Sequence, residues 1–243
     1  MTAENTHIVA LILAGGKGNR VHSSERPKQF IETDGVPIIV DTLSAFQQHP
    51  EVDAIAVVCL PEWIEYVEEK MAQHGIHKFS GCFPSGESGF ESLCHGIEGL
   101  RSNGYENDTI VLVHDAVRPF VSQQIISGNI ETCRRHGNAI TALRSEEAFA
   151  RSADGLLSNG YLSRENIFRI QTPHTFRLGD IISACEWARQ KGETPQSLYT
   201  LMASRTAFPL YMTPGEMINF KLTYPEDIAL YRTVIHSAKF LDK

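Results

Sequence analysis

The chain has no run of basic residues, no cysteine pair at metal-ligand spacing, and no apolar stretch near the roughly 18 residues of a spanning helix. Each absence excludes a class of function. Lys and Arg number 22 against 29 Asp and Glu, for a net charge of −7. That balance argues against a nucleic-acid partner, so any phosphate chemistry must rest on a few placed cations. The five cysteines, Cys59, Cys82, Cys94, Cys133 and Cys185, are odd in number and widely spread. They imply neither a disulfide framework nor a zinc ribbon, and read as reduced, partly buried small hydrophobes. His74 and His77, the closest pair of the ten histidines, lie in a polar stretch without a third ligand and read as solvated surface. The N-terminal "MTAENTH" lacks a cationic stretch ahead of an apolar core, and the expectation is a soluble, cytoplasmic protein with no membrane partner.

What the chain does have is 42% apolar content over 243 residues, enough for one large domain. Apolar runs at 8–14 ("IVALILA"), 54–60 ("AIAVVCL") and 109–115 ("TIVLVHD") read as strands buried on both faces. Helical spacing occupies 38–49, 61–75, with Pro61 at its start and Gly75 at its end, and 91–104. Alternation of this kind predicts an α/β fold: a mostly parallel sheet with helices on both faces and ligands beyond the carboxyl ends of the strands. Residues at about 140–170 break the pattern with short, turn-rich segments around Asp154-Gly155 and Asn159-Gly160, which read as an extended hairpin or arm. Helix returns at 178–191, and "FKLTYPEDIALYRTVIHSA" reads as a short strand leading to a terminal helix that Pro225 starts.

The first strand runs into "LILAGGKGNR" (11–20), followed by "PKQF" (27–30). A dinucleotide fingerprint starting at Gly16 would need a glycine where Val21 stands, and a Walker loop would need a hydroxyl residue after Lys17 where Gly18 stands. What remains is a set of bare backbone amides at Gly15, Gly16 and Gly18 able to wrap phosphate oxygens, with Arg20 and Lys28 to neutralise them. A plain glycine-rich turn between strand and helix is the bland alternative.

Here the chain resembles the cytidylyltransferases that act on sugar-alcohol phosphates, the 2-C-methyl-D-erythritol 4-phosphate and ribitol 5-phosphate enzymes. The resemblance spans nearly the whole chain, through "LAGGKGNR" (13–20), "PKQF" (27–30), "VHDAVRPF" (113–120), "QTPHTF" (171–176) and "NFKLTYPEDI" (219–228). It implies a Rossmann-like nucleotidyltransferase fold with a dimerising arm, hence a homodimer. The implied reaction turns CTP and a polyol phosphate into a CDP-polyol and pyrophosphate.

By this resemblance Arg20 and Lys28 hold the triphosphate and the leaving pyrophosphate, and Lys221 neutralises charge at the attacked phosphorus. Asp115 carries Mg2+, whose hard-oxygen preference suits a carboxylate with phosphates; capping of the following turn is the alternative. Ala14 and the glycines of the loop, with Gly86, Ser92 and Ala116, receive the nucleotide. Ser92 would otherwise cap the helix after it. Arg118 lies near the polyol, or else pairs with a surface carboxylate. Arg164 grips the polyol phosphate across the dimer interface, a task suited to a guanidinium, or else is a solvated charge. Thr172 and Thr194 complete the substrate set.

Several positions depart from the family pattern. In "SGESGFES" (85–92) Ser85 replaces a glycine and Gly89 an arginine. Ser145-Glu146 stands for the arm's Asp-Thr, "TPQS" (194–197) for an acidic segment, and Ile218 for an aspartate of the methylerythritol enzymes. The lack of that aspartate, with "LAGG" and "HDAVRPF", leans toward a ribitol-phosphate acceptor. The departures also motivate an alternative, a CTP-binding regulatory homologue without turnover. Val21 disfavours a nicotinamide-dependent oxidoreductase.

Overall fold

The structure, a computed structural model, describes residues 6–16, 26–205 and 208–241. Strand β1 (Ile8–Ala14) is aliphatic throughout and almost wholly buried. That pattern places it in the middle of a sheet, covered on both faces. The chain next makes a small hairpin, β2 (Glu32–Thr33) and β3 (Val36–Pro37), turned by Asp34 and Gly35 at φ of 53° and 79°. Positive φ at both central residues matches the twist of paired strands. Helix α1 (Ile38–Gln48) leads to β4 (Ala54–Cys59), and a 3₁₀ turn at Pro61–Trp63 opens α2 (Ile64–Gln73). β5 (Phe79–Pro84), α3 (Gly89–Ser102), β6 (Ile110–Asp115) and α4 (Gln123–His136) continue the alternation.

β7 (Asn138–Arg144) precedes the arm, whose strands are β8 (Phe149–Arg151) and β9 (Gly160–Leu162). β10 (Phe168–Arg177) re-enters the sheet, followed by α5 (Leu178–Lys191), α6 (Leu198–Ala203), β11 (Met212–Pro214) and α7 (Pro225–Leu241). The seven-stranded sheet has the order β11-β7-β10-β6-β1-β4-β5. β1 is parallel to β4 and β6, β4 to β5, and β11 to β7, whereas β10 runs antiparallel to both of its neighbours.

Helices cover both faces. Phe30, Leu43, Phe46, Val67, Ile126 and Ile130 bury one layer under α1, α2 and α4. Phe90, Leu93, Ile97, Ile181, Leu201 and Met202 bury the other under α3, α5 and α6. Each large aliphatic or aromatic side chain so enclosed contributes about 1.5–3 kcal/mol relative to exposure. A third, smaller cluster of Ile38, Val117, Leu222, Ile228 and Tyr231 fastens α7 to α1.

The α/β expectation holds, and three local readings are corrected. No strand forms at 219–224; β11 lies at Met212–Pro214 instead. The 219–224 segment lies against the loop after β6, with Leu222 N–H bonded to Val117 O at 2.9 Å. The arm is shorter than 140–170, because β7 and β10 belong to the central sheet at both ends of that span. The third helix starts at Gly89 rather than 91, since Ser88 and Glu91 form a reciprocal capping box. No helix among the described residues is long and apolar enough to cross a membrane.

Candidate active site

The carboxyl ends of β1 and β6 open into a cleft of about 710 Å³, a size suited to a nucleotide or cofactor. The end of β1 and the loop after it supply Ala14, Gly15 and Gly16. Behind them the 3₁₀ turn of Lys28–Phe30 carries Gln29, which is 2% exposed and donates to Ala14 O at 2.6 Å and Gly16 O at 3.0 Å. One buried amide thus fixes the backbone on both sides of Gly15. Lys28, buried in the same turn, lines the cleft. Gly18 and Arg20 lie outside the described residues.

The turn after β5 meets this loop closely. A Cβ on Gly15 would stand 2.6 Å from Ser85 Cβ, and one on Gly86 only 2.3 Å from Glu91 Cβ. Both positions need glycine for proximity alone. Ser92 Oγ accepts from Gly86 N–H at 3.1 Å and donates to Ser88 O at 2.8 Å. Ser92 therefore sits inside α3 and shapes the cleft wall; the helix cap is Ser88, signalled in the sequence by the S-x-x-E spacing to Glu91.

At the end of β6, Asp115 receives Lys221 Nζ on Oδ1 and Arg118 Nε on Oδ2, each at 3.0 Å. Arg118 also donates from Nη1 to Asn219 O at 2.8 Å, so it is a buried member of the cleft rather than a surface charge. Burial opposes ionisation of Asp115, but the two cations beside it hold its pKa well below the usual carboxylate range.

Beneath Asp115 lies a neutral network. Thr172 Oγ1 accepts from Asp115 N–H at 3.1 Å and lies 3.0 Å from His114 Nδ1, while His114 Nε2 lies 3.1 Å from Arg118 O. A carbonyl can only accept, so the imidazole proton belongs on Nε2 and Nδ1 accepts from the Thr172 hydroxyl. Burial lowers the His114 pKa to about 3, keeping the ring uncharged. Asn219 Nδ2 closes the network on Thr172 O at 2.9 Å.

Ala116 and Thr172 line the cleft as expected. Thr194, exposed in the connection between α5 and α6, does not. Arg164, expected to act across a dimer interface, is exposed on the arm with its Nη1 3.4 Å from Glu146 O. Gln196, Ser197 and Tyr199 stand in the wall where Thr194 was expected. Gln29, His114 and Asn219 were not anticipated, although Gln29 and Asn219 sit within recognised motifs and His114 directly precedes Asp115. Among the described residues no group of three His, Cys, Asp or Glu side chains gathers to hold a metal unaided.

The family model described as IspD, 2-C-methyl-D-erythritol 4-phosphate cytidylyltransferase, matches residues 8–237. A ribitol-5-phosphate cytidylyltransferase from Vibrio parahaemolyticus serotype O3:K6 is 32% identical over 233 residues, 96% of this chain and 98% of the relative. A 2-C-methyl-D-erythritol 4-phosphate cytidylyltransferase from Geobacillus kaustophilus is 31% identical over 228 residues, 94% of this chain and 96% of the relative. The crystal structure of 4-diphosphocytidyl-2C-methyl-D-erythritol synthase from Anaerococcus prevotii superposes with a TM-score of 0.79 at 22% identity, covering 96% of this chain and all of the other, a likeness of fold. With a glycine loop, a buried carboxylate and converging cations at the carboxyl end of such a sheet, the chain belongs to the 2-C-methyl-D-erythritol 4-phosphate cytidylyltransferase family and is a nucleotidyltransferase.

Proposed function

We propose that this cytidylyltransferase transfers CMP from CTP to a polyol phosphate, with a ribitol 5-phosphate-type acceptor favoured over 2-C-methyl-D-erythritol 4-phosphate. The observation that carries the reading is the convergence of Lys221 and Arg118 on Asp115 at the mouth of a cleft floored by the glycine loop. The lean toward ribitol rests on Ile218, which replaces an acid of the methylerythritol enzymes with an apolar side chain exposed on a turn.

The chemistry asks little acid–base work of the protein. A phosphate oxygen of the acceptor attacks the α-phosphorus of CTP, the bond to the bridging oxygen breaks, and pyrophosphate leaves. A phosphomonoester, with a second pKa near ~6, already carries the needed lone pair at pH 7. No general base is required, and His114, beside Asp115, has both ring nitrogens engaged. Lys28 and Arg20 hold the β- and γ-phosphates and stabilise the leaving group. Lys221, 41% exposed and tethered to Asp115, turns to the charge that develops at the α-phosphorus. Arg118 keeps the Asp115 carboxylate in place.

Asp115 fits a magnesium site of a particular kind. Its two oxygens offer about four lone-pair positions, of which the cations take two, and Mg2+ is commonly held by one or two carboxylates plus phosphates and waters. When bound, the ion supplies neutralisation of the gathered phosphates. On the arm, Leu156 and Tyr161 are 87% and 84% exposed, an apolar surface suited to a second copy of the chain, across which Arg164 would reach the partner's acceptor phosphate. Five free cysteines accord with a cytoplasmic location.

The test is pyrophosphate release from CTP and Mg2+ across a panel of four- and five-carbon polyol phosphates. Release that needs all three components and collapses in Lys28→Ala is the expected result; none above background with any acceptor would refute the assignment.

A further inference from the structure

On the β10 side of the cleft stands a buried group that the transfer chemistry does not use. His174 lines the cleft, is 4% exposed, and its Nε2 has no hydrogen-bond partner among the described residues. It sits opposite Val113 of β6, two residues beyond Thr172, with the Tyr199 ring 6.2 Å away between centroids. Native interiors rarely leave a polar nitrogen unpaired, and one that borders a cleft points to a ligand.

The chemistry of that ligand follows from the ring. Burial lowers the His174 pKa to about 4 despite the pull of Asp115, so the imidazole is neutral at pH 7. The Gln171 backbone favours an N–H on the ring, and with Nε2 unpartnered that hydrogen belongs on Nδ1. Nε2 is then an acceptor and asks for a donor. A phosphate oxygen without a proton cannot supply one; a hydroxyl can. Gly15, Gly86 and Ser92 line the cleft toward β1 and β5, the side read as receiving the nucleotide. His174 lies on β10, across β6 from β1, next to Thr172 and Gln171.

We propose that His174 Nε2 accepts a hydrogen bond from a hydroxyl of the acceptor's polyol chain and thereby selects which polyol phosphate is used. This rests on the function proposed above and specifies its second substrate. Nε2 is closed off from water, so the hydroxyl reaches it by displacing a neighbour; the half-buried Tyr199 ring stands in the same wall.

The experiment combines His174→Phe, which removes the acceptor, and His174→Gln, which offers an amide oxygen, with acceptors lacking single hydroxyls. His174→Phe is expected to raise the KM for the acceptor roughly tenfold to a hundredfold, with a smaller change in kcat and a CTP Kd within about twofold of wild type. One deoxy acceptor should show the same loss with wild type and none further with His174→Phe, and His174→Gln should recover part of it. An unchanged KM, an equal loss of CTP affinity, or a deoxy series that never closes the cycle overturns the inference. Should His174→Phe fail to fold, as thermal unfolding reads, His174→Gln is read alone: a changed rank order of acceptors supports the inference and an unchanged order overturns it. A wild type inactive on every polyol phosphate defeats the proposed function instead, a result seen before any variant is made.

Discussion

Lys221 Nζ lies 3.0 Å from Asp115 Oδ1, joining residues 106 positions apart in the chain. The pair is poised rather than inert. Asp115 is well buried and held a second time by Arg118, whereas Lys221 is exposed enough to exchange its partner for a phosphate. Lys221→Met is therefore expected to lower kcat by about 10²–10³, as removal of a donor to transition-state charge does. CTP affinity and melting temperature should barely move, checked by calorimetry and thermal unfolding.

Asp115→Asn acts differently. It leaves Arg118, whose side chain is 10% exposed, without its carboxylate. Breaking a buried pair from one side costs about 3–5 kcal/mol, and in a domain of this size about 1 kcal/mol shifts Tm by roughly 2–4 °C. A drop in Tm of about 6 °C or more, together with loss of turnover, is expected from calorimetric scans.

Gln29→Leu keeps the side-chain volume but removes the donor to Ala14 O and Gly16 O. The Ala14 carbonyl, in a residue 2% exposed, is left unsatisfied at about 1–3 kcal/mol. Because the glycine loop loses its brace, CTP affinity should fall by about tenfold, measured by titration calorimetry.

Two glycines three residues apart should respond oppositely. Gly86→Ala puts a Cβ 2.3 Å from Glu91 Cβ and 3.0 Å from the Glu91 backbone carbon, so the start of α3 must shift. Destabilisation of about 1–3 kcal/mol and weakened nucleotide binding are expected. At Gly89 the nearest atom to an added Cβ is Gln196 O at 3.9 Å. Gly89→Ala should be neutral or stabilising by up to about 0.5 kcal/mol, since alanine is the better helix former. Urea unfolding of both variants measures the contrast.

Acid sensitivity has a defined sign. His114 and His174 have folded-state pKa values lowered by burial to about 3 and about 4, below the ordinary value of 6.5. Between those values and about 6.5 the unfolded chain binds more protons, so stability falls as pH drops through this window, by up to about 1.4 kcal/mol per pH unit for each ring. Asp115, with a pKa depressed mainly by Lys221 and Arg118 against burial, adds its own loss only below about 3.8. Urea unfolding between pH 7 and 4.5 should show the slope, and His174→Phe should lower it by one ring's share.

Strands β1, β4 and β6, the helices α1, α2, α3, α5 and α7 to within a few residues, and a glycine-rich loop able to take phosphate were legible in the sequence, whereas the interior strands β7 and β10 and the helices α4 and α6 were not. The legible signals are local: uninterrupted aliphatic runs such as 8–14, Pro225 opening α7, Gly192 at a φ of 66° closing α5, and bare glycines after a strand. Tertiary structure alone decided which side chains converge. It brought Lys221 to Asp115, set Gln29 behind the glycine loop, left Thr194 out of the cleft, and placed the late strand at Met212–Pro214 on the edge of β7. The physical reason is that periodicity and capping specify how a segment folds, whereas the meeting of distant polar groups depends on which strand lies beside which. Only the packed sheet order fixes that.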